Sequence, residues 1–329
     1  MNLARIFVMT VSVLIGTTFI YSADDLQEIS IAVVPKGTNK ERWKAIHEGA
    51  MKASKELAKE GLVVNILWKG NLDPDRNEQI QVVDTFTGQR LSGILVASIG
   101  EDQFSGEVHV DANSDLPMIY IDDGLDAQRA ISYVATDNFQ GGAIAADRIG
   151  QLMEGVGNVV VVRHRQGDSN TEAREAGFIE RIKSRYPSIR LISMDQHVGN
   201  NVEKANNVAE YLLNRYGRRL NAVFASSAVG TDAMLTGLRN FNLTEQVHLV
   251  GYEASVTSLE AIKSGEIKGL VVSNPYRMGY LGVTTLVDNI QGGNIPTIVD
   301  TGVTLVTQSN IDSSEVREAL GVGEPETIR

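Results

Sequence analysis

Tyr133-Val134-Ala135-Thr136-Asp137-Asn138-Phe139-Gln140-Gly141-Gly142 is the stretch on which the fold turns. It opens as a short β-branched and apolar segment, passes through Thr-Asp-Asn, and enters a helix expected over 142–153. Asp137 or Asn138 is placed to cap that helix by accepting from its free N–H groups. Before this stretch the chain alternates strand and helix patterns, and after it the same order begins again. A crossing between two similar domains accounts for both sides.

Upstream, Ile29–Val34 is a β-branched run that reads as a buried parallel strand. A helix over about 40–59, a strand at 63–67, a helix at 79–87 and strands at 93–97 and 118–121 follow. The segment 101–114 has too weak a pattern to assign. Downstream come strands at 159–162, 191–194, 222–225, 247–250, 269–272 and 303–306. Helices over 172–184, 202–216, 230–241, 258–264 and 278–291 separate them. The halves match in detail: the helix carrying Glu48-Gly49-Ala50 answers the one carrying Glu175-Ala176-Gly177-Phe178, and Pro117–Asp122 answers Val247–Glu253. Right-handed β-α-β connections then give two doubly wound parallel sheets. Polar residues gather at the strand ends where such sheets bind ligands: Lys36, Asp122, Asp123, Arg163, Ser226, Ser227, Glu253 and Ser273.

Residues 1–23 read as a signal peptide, with Arg5, an apolar run from Ile6 to Ile20 and small residues at Ser22-Ala23. The remainder is expected to be periplasmic. The 329 residues are 43% hydrophobic, enough for two cored domains, and contain no cysteine, so the cores must hold the fold without disulfides. A formal net charge of −11 with no basic stripe argues against nucleic acid as a partner. No Gly-x-Gly-x-x-Gly or P-loop follows the first strand, no Gly-x-Ser-x-Gly is present, and the five histidines share no ligand spacing. Arg163-His164-Arg165 lacks the glycine of a histidine phosphatase loop. No catalytic residue, metal or cofactor is expected, and no nucleophile is paired to a base.

The order and spacing of Ala32-Val33-Val34-Pro35-Lys36-Gly37-Thr38, Ala135-Thr136-Asp137-Asn138, Glu172-Ala173-Arg174-Glu175, Val250-Gly251-Tyr252-Glu253 and Asn274-Pro275-Tyr276 resemble the periplasmic sugar-binding proteins of ABC transporters, of the ribose- and galactose-binding type. The resemblance runs over about 29–307. It implies the type 1 periplasmic binding protein fold, in which two α/β domains joined by three hinge strands close on a small ligand. The implied domains are 24–136 plus 274–302 and 137–273 plus 303–329, with hinges near Thr136, Ser273-Asn274 and Thr301-Gly302.

Position by position, the resemblance puts ligand contacts on Lys36, Lys40, Arg42, Trp43, Asp122, Asp123, Arg174, Ser227, Glu253 and Ser273. Arg42 stands where relatives often carry an aromatic platform, which passes ring stacking to Trp43 or Tyr252. Ser227 and Ser273 replace longer amides, and Glu253 replaces a shorter aspartate. The expected ligand is a sugar or sugar-like molecule. The expected partner of the monomeric protein is an ABC permease. The same closed form could instead be read by a histidine kinase or chemoreceptor, with a furanose-like autoinducer among the candidate ligands, and an enzyme acting on a sugar is a further alternative. Arg174 and Glu253 are expected to converge on the ligand, with little effect on ligand-free stability because an open cleft solvates both.

Overall fold

The computed structural model describes residues 27–38, 41–73, 75–99, 116–122 and 130–321. The signal-like segment, the unassigned 101–114, Lys40 and Asp123 lie outside them. In chain order the elements are β1 (Gln27–Val34), α1 (Glu41–Lys59), β2 (Leu62–Trp68), α2 (Arg76–Thr87), β3 (Gly93–Val96), β4 (Met118–Ile121), β5 (Ser132–Ala135), α3 (Asn138–Leu152), β6 (Gly157–Arg163) and α4 (Ser169–Arg185). Then come β7 (Ile189–His197), α5 (Val202–Tyr216), β8 (Ala222–Ala225), α6 (Ala228–Asn240), β9 (His248–Tyr252), α7 (Val256–Ser264), β10 (Ile267–Ser273), α8 (Pro275–Ile290), β11 (Ile298–Asp300), β12 (Val303–Val306) and α9 (Ser314–Ala319).

Two six-stranded sheets result. One runs β2-β1-β3-β4-β5-β11 and the other β7-β6-β8-β9-β10-β12, so the halves share one winding order. All pairs are parallel except β10 with β12. Strands β3, β4 and β8 are buried along their whole length, as expected of sheets covered on both faces. Each lobe accordingly has two apolar cores, one per sheet face, around Ile31 and Val34 in the first lobe and around Val160 and Val161 in the second.

The chain passes between lobes three times. Thr136-Asp137 joins β5 to α3, Asn274 joins β10 to α8, and Thr301-Gly302 joins β11 to β12. The first and third passages are tied side by side. The Thr136 and Thr301 hydroxyls lie 2.9 Å apart, and Thr301 N donates to the Ala135 carbonyl at 2.9 Å.

Each helix that enters from the other lobe docks in the same way. In the first lobe α8 lies on α1, and in the second α3 lies on α4. A methyl on Gly49 would fall 1.9 Å from the Tyr276 carbonyl oxygen, and one on Gly279 the same distance from that of Ile46. Gly142 faces the Arg174 carbonyl and Gly177 that of Phe139, again at 1.9 Å. Backbone lies on backbone in both pairs, and only glycine leaves room. Gly49 and Gly177 are the glycines of the repeat read from the sequence.

Six helix starts differ from the sequence reading by two to four residues, and caps explain three of them. Asp137 accepts from Gln140 N at 2.8 Å, so α3 begins at Asn138 rather than 142. Asp168 and Ser227 cap α4 and α6, moving those starts to 169 and 228. Strand β11 and helix α9 were not anticipated.

Candidate functional site

The carboxyl ends of the two sheets face a cleft of about 480 Å³ between the lobes. Its centre is a run of alternating charges. Arg42, in the first turn of α1, is bonded through Nη2 to Asp122 at the end of β4. Its Nη1 donates to Ser273 Oγ at 2.7 Å and lies 3.6 Å from Glu253 Oε1, crossing from the first lobe to the second. Glu253 Oε1 also accepts from Ser273 Oγ at 3.0 Å and from Arg174 Nη2 at 3.2 Å. Arg174 completes its fork within the second lobe, with Nε donating to Asn138 Oδ1 at 2.8 Å and Nη1 to the Ser226 carbonyl at 3.2 Å.

Asp122 and Glu253 occupy equivalent places, each just beyond the carboxyl end of the fourth strand of its lobe. Both take left-handed backbone, φ 71° and 62°. That conformation is uncommon outside glycine and turns each carboxylate back toward the cleft. The repeat seen in the sequence thus delivers one carboxylate from each lobe to a shared centre.

Electrostatics hold Asp122 and Arg42 ionised. Burial works against the Asp122 carboxylate, but the charges of Arg42, Lys36 and Arg174 outweigh it and leave the carboxyl below its usual range. Burial likewise opposes the Arg42 charge, and Asp122 and Glu253 together more than restore it. Behind Arg174, its neighbour Glu175 is buried among the Ser226 hydroxyl, His164 N and the Arg163 guanidinium. Burial raises the Glu175 carboxyl above the ordinary value despite those donors.

Arg42, Asp122, Arg174, Ser227, Glu253 and Ser273 all line the cleft. Lys36 stands at the end of β1 and acts on Asp122 through its charge. The two proposed stacking residues do not face the cleft. Trp43 is 5% exposed and belongs to the core of the first lobe, because helical geometry turns it inward while Arg42 points out. Tyr252 is wholly buried, with its ring 4.0 Å beneath the Arg174 guanidinium. It supports the arginine from below. Burial pushes its hydroxyl up to about 12.

Arg174 itself is 6% exposed in this conformation, in which Arg42 bridges the two lobes. Sequence reasoning also passed over Asn138, which is buried and holds Arg174 while donating to Asn170 Oδ1 at 2.8 Å. Its only signal was its place beside the cap. His164 and Asp168, from the loop after β6, line the cleft as well. Burial lowers the His164 imidazole.

Two glycine-docked α/β lobes with opposed carboxyl edges and a charged cleft are matched by the model of the periplasmic binding protein domain over residues 31–294. The chain belongs to the periplasmic binding protein family. Similar members include the D-apiose import binding protein of Actinobacillus succinogenes, 24% identical over 82% of this chain and 87% of that protein. The ribose import binding protein of Haemophilus influenzae is 23% identical over 92% and 99%. Among solved structures, a carbohydrate transporter solute binding protein from Agrobacterium radiobacter, in complex with D-arabinose, superposes with a TM-score of 0.74. It is 27% identical and covers 89% of this periplasmic binding protein and 99% of its own chain. Among the described residues no helix is long and apolar enough to cross a membrane, and no cluster of His, Asp and Glu has the makings of a metal site.

Proposed function

We propose that this protein is an exported solute-binding protein that captures an uncharged sugar or sugar-like polyol between its lobes and delivers it to an ABC permease. The observation that carries this reading is the pairing of charges among the described residues that line the cleft. Arg42 and Arg174 are matched by Asp122 and Glu253. The remaining lining acids have their own partners, Glu41 with Lys44 at 2.6 Å and Asp168 with Arg165 at 3.3 Å. A carboxylate or phosphate ligand would displace one of these matched pairs and leave a carboxylate uncompensated. Vicinal hydroxyls instead bridge between guanidinium forks and carboxylates, accepting from one and donating to the other. The names of the relatives support the same class: apiose, ribose and arabinose are neutral pentoses.

In this reading the lobes are 24–136 plus 274–302 and 137–273 plus 303–329. They turn about the three passages, and a permease takes up the closed, filled form. Arg42 reports closure, since its bonds to Ser273 and Glu253 exist only when the lobes meet. The chain acts as a monomer and catalyses nothing. The signal layout of residues 1–23 supports export.

A thermal-shift series on the protein from 24 onward tests this. The panel is D-ribose, D-arabinose, D-apiose and xylitol, with D-ribonate and D-ribose 5-phosphate as anionic counterparts. A neutral compound should raise the melting temperature and its anionic counterpart should not. A shift confined to the anions would reject the neutral-ligand reading, and no shift across a panel widened to hexoses would reject a sugar site.

A further inference from the structure

The C-terminal helix α9 is rooted in one lobe and ends on the other. Val316 and Ala319 are buried in the core of the second lobe together with Ile311 and Val306. Beyond the helix, Gly321 turns left-handed at φ 66°, and a methyl on it would lie 2.9 Å from the Ala45 methyl of α1 in the first lobe. Glu318 faces a second cavity, formed otherwise by Lys52, Glu56, Tyr276 and Tyr280 among other residues of α1 and α8. Between these anchors, Ala319 and Leu320 line the ligand cleft beside Ala45 and Pro275. Among the described residues, the cleft therefore has a charged centre and, in Ala45, Pro275, Ala319 and Leu320, four lining side chains with no hydrogen-bonding group.

We propose that Ala319 and Leu320 determine specificity, as an apolar wall pinned in place by this strap, selecting pentoses over hexoses of matching ring stereochemistry. The proposal rests on the reading of the cleft as a sugar site. A hexopyranose differs from its matched pentopyranose by one exocyclic hydroxymethyl group. Turned toward this wall, that hydroxyl loses water and finds no partner. Turned toward the centre, it displaces the ring hydroxyls from the arginine forks. A bare ring carbon fits the wall without either cost.

Calorimetric titration of four pairs reads the effect: D-ribose against D-allose, D-xylose against D-glucose, L-arabinose against D-galactose, and D-lyxose against D-mannose. The pentose of the best-bound pair should bind roughly tenfold to hundredfold tighter, the expected consequence of one unpaired hydroxyl. Leu320→Ser, which supplies a partner, should shrink that ratio to within about threefold. A wild-type preference for the hexose, or a ratio unmoved by Leu320→Ser in a folded protein, overturns the proposal.

A second arm needs no sugar. In this cysteine-free chain, Ala45→Cys with Gly321→Cys should form a disulfide on mild oxidation of the ligand-free protein, since the two Cβ positions lie 2.9 Å apart and a shift of about 1 Å brings them to disulfide separation. No cross-link removes the strap, and with it the wall. A cross-link in a protein that binds no sugar leaves the strap standing and rejects the sugar reading instead.

Discussion

Replacing Arg174 with methionine should cost the ligand-free protein about 3–4 kcal/mol, and the figure follows from what the guanidinium touches. Methionine fills the space of the stem, so little cavity is left. Two neutral acceptors lose their donor: Asn138 Oδ1 and the Ser226 carbonyl. At about 1–1.5 kcal/mol for each buried group left unpaired, these account for most of the loss. The stacking on Tyr252 adds about 1 kcal/mol. Glu253 contributes little, because its carboxylate is a quarter exposed and keeps Ser273 and Arg42. Arg42→Met should cost about 2–3 kcal/mol: its guanidinium is a quarter exposed, but its removal leaves the buried Asp122 carboxylate without its salt-bridge partner. Urea denaturation of the wild type and both variants, followed by circular dichroism, gives the two numbers. An Arg174→Met loss below about 1 kcal/mol would refute the assignment of Arg174 as a buried structural as well as binding group.

Gly177→Ala and Gly49→Ala should each destabilise their own lobe by about 1–3 kcal/mol or more, because the new methyl must push two helix backbones apart; wild-type urea midpoints in both would remove the docking argument. Asp122 has a folded-state pKa below its unfolded value, so its stabilising contribution is complete above about pH 4 and fades as the pH falls further. Wild type should therefore lose its advantage over Asp122→Asn below that point, and a difference that instead grew on acidification would contradict the sign. Small-angle scattering should show a smaller radius of gyration with a saturating ligand from the panel than without it. An unchanged radius would mean that the cleft does not open.

Strands and their order were legible because the β-branched runs at 29–34, 93–97 and 222–225 are buried on both faces and need no partner information to be recognised. β11 was not legible. Its three residues, Ile298–Asp300, lie on a sheet edge with Ile298 exposed, so no apolar pattern marks them. α9 was hidden for a related reason: six residues with two buried positions carry too little periodicity. In the site, charge was easier to place than direction. Arg42, Asp122, Arg174 and Glu253 sit at strand ends or in the first two turns of a helix, where topology points them at the cleft. Trp43 and Tyr252 are one residue from Arg42 and Glu253. A one-residue step turns a side chain to the opposite side of its element, and which aromatic faces inward depends on what covers it. Asn138 shows the remaining limit. Two adjacent residues able to cap one helix divide the work by burial, which the sequence does not display.

The hydroxyl contact between Thr136 and Thr301 makes two of the three passages between lobes behave as one. The chain then has two points of attachment across the gap, that clasp and Asn274. Two fixed points define a line, and a body held on a line keeps a single freedom, rotation about it. Sliding and lateral shear would have to break the clasp. In such an arrangement Arg42 returns to the same partners on every closing stroke, and a charged contact spanning the gap can be met repeatedly without any search.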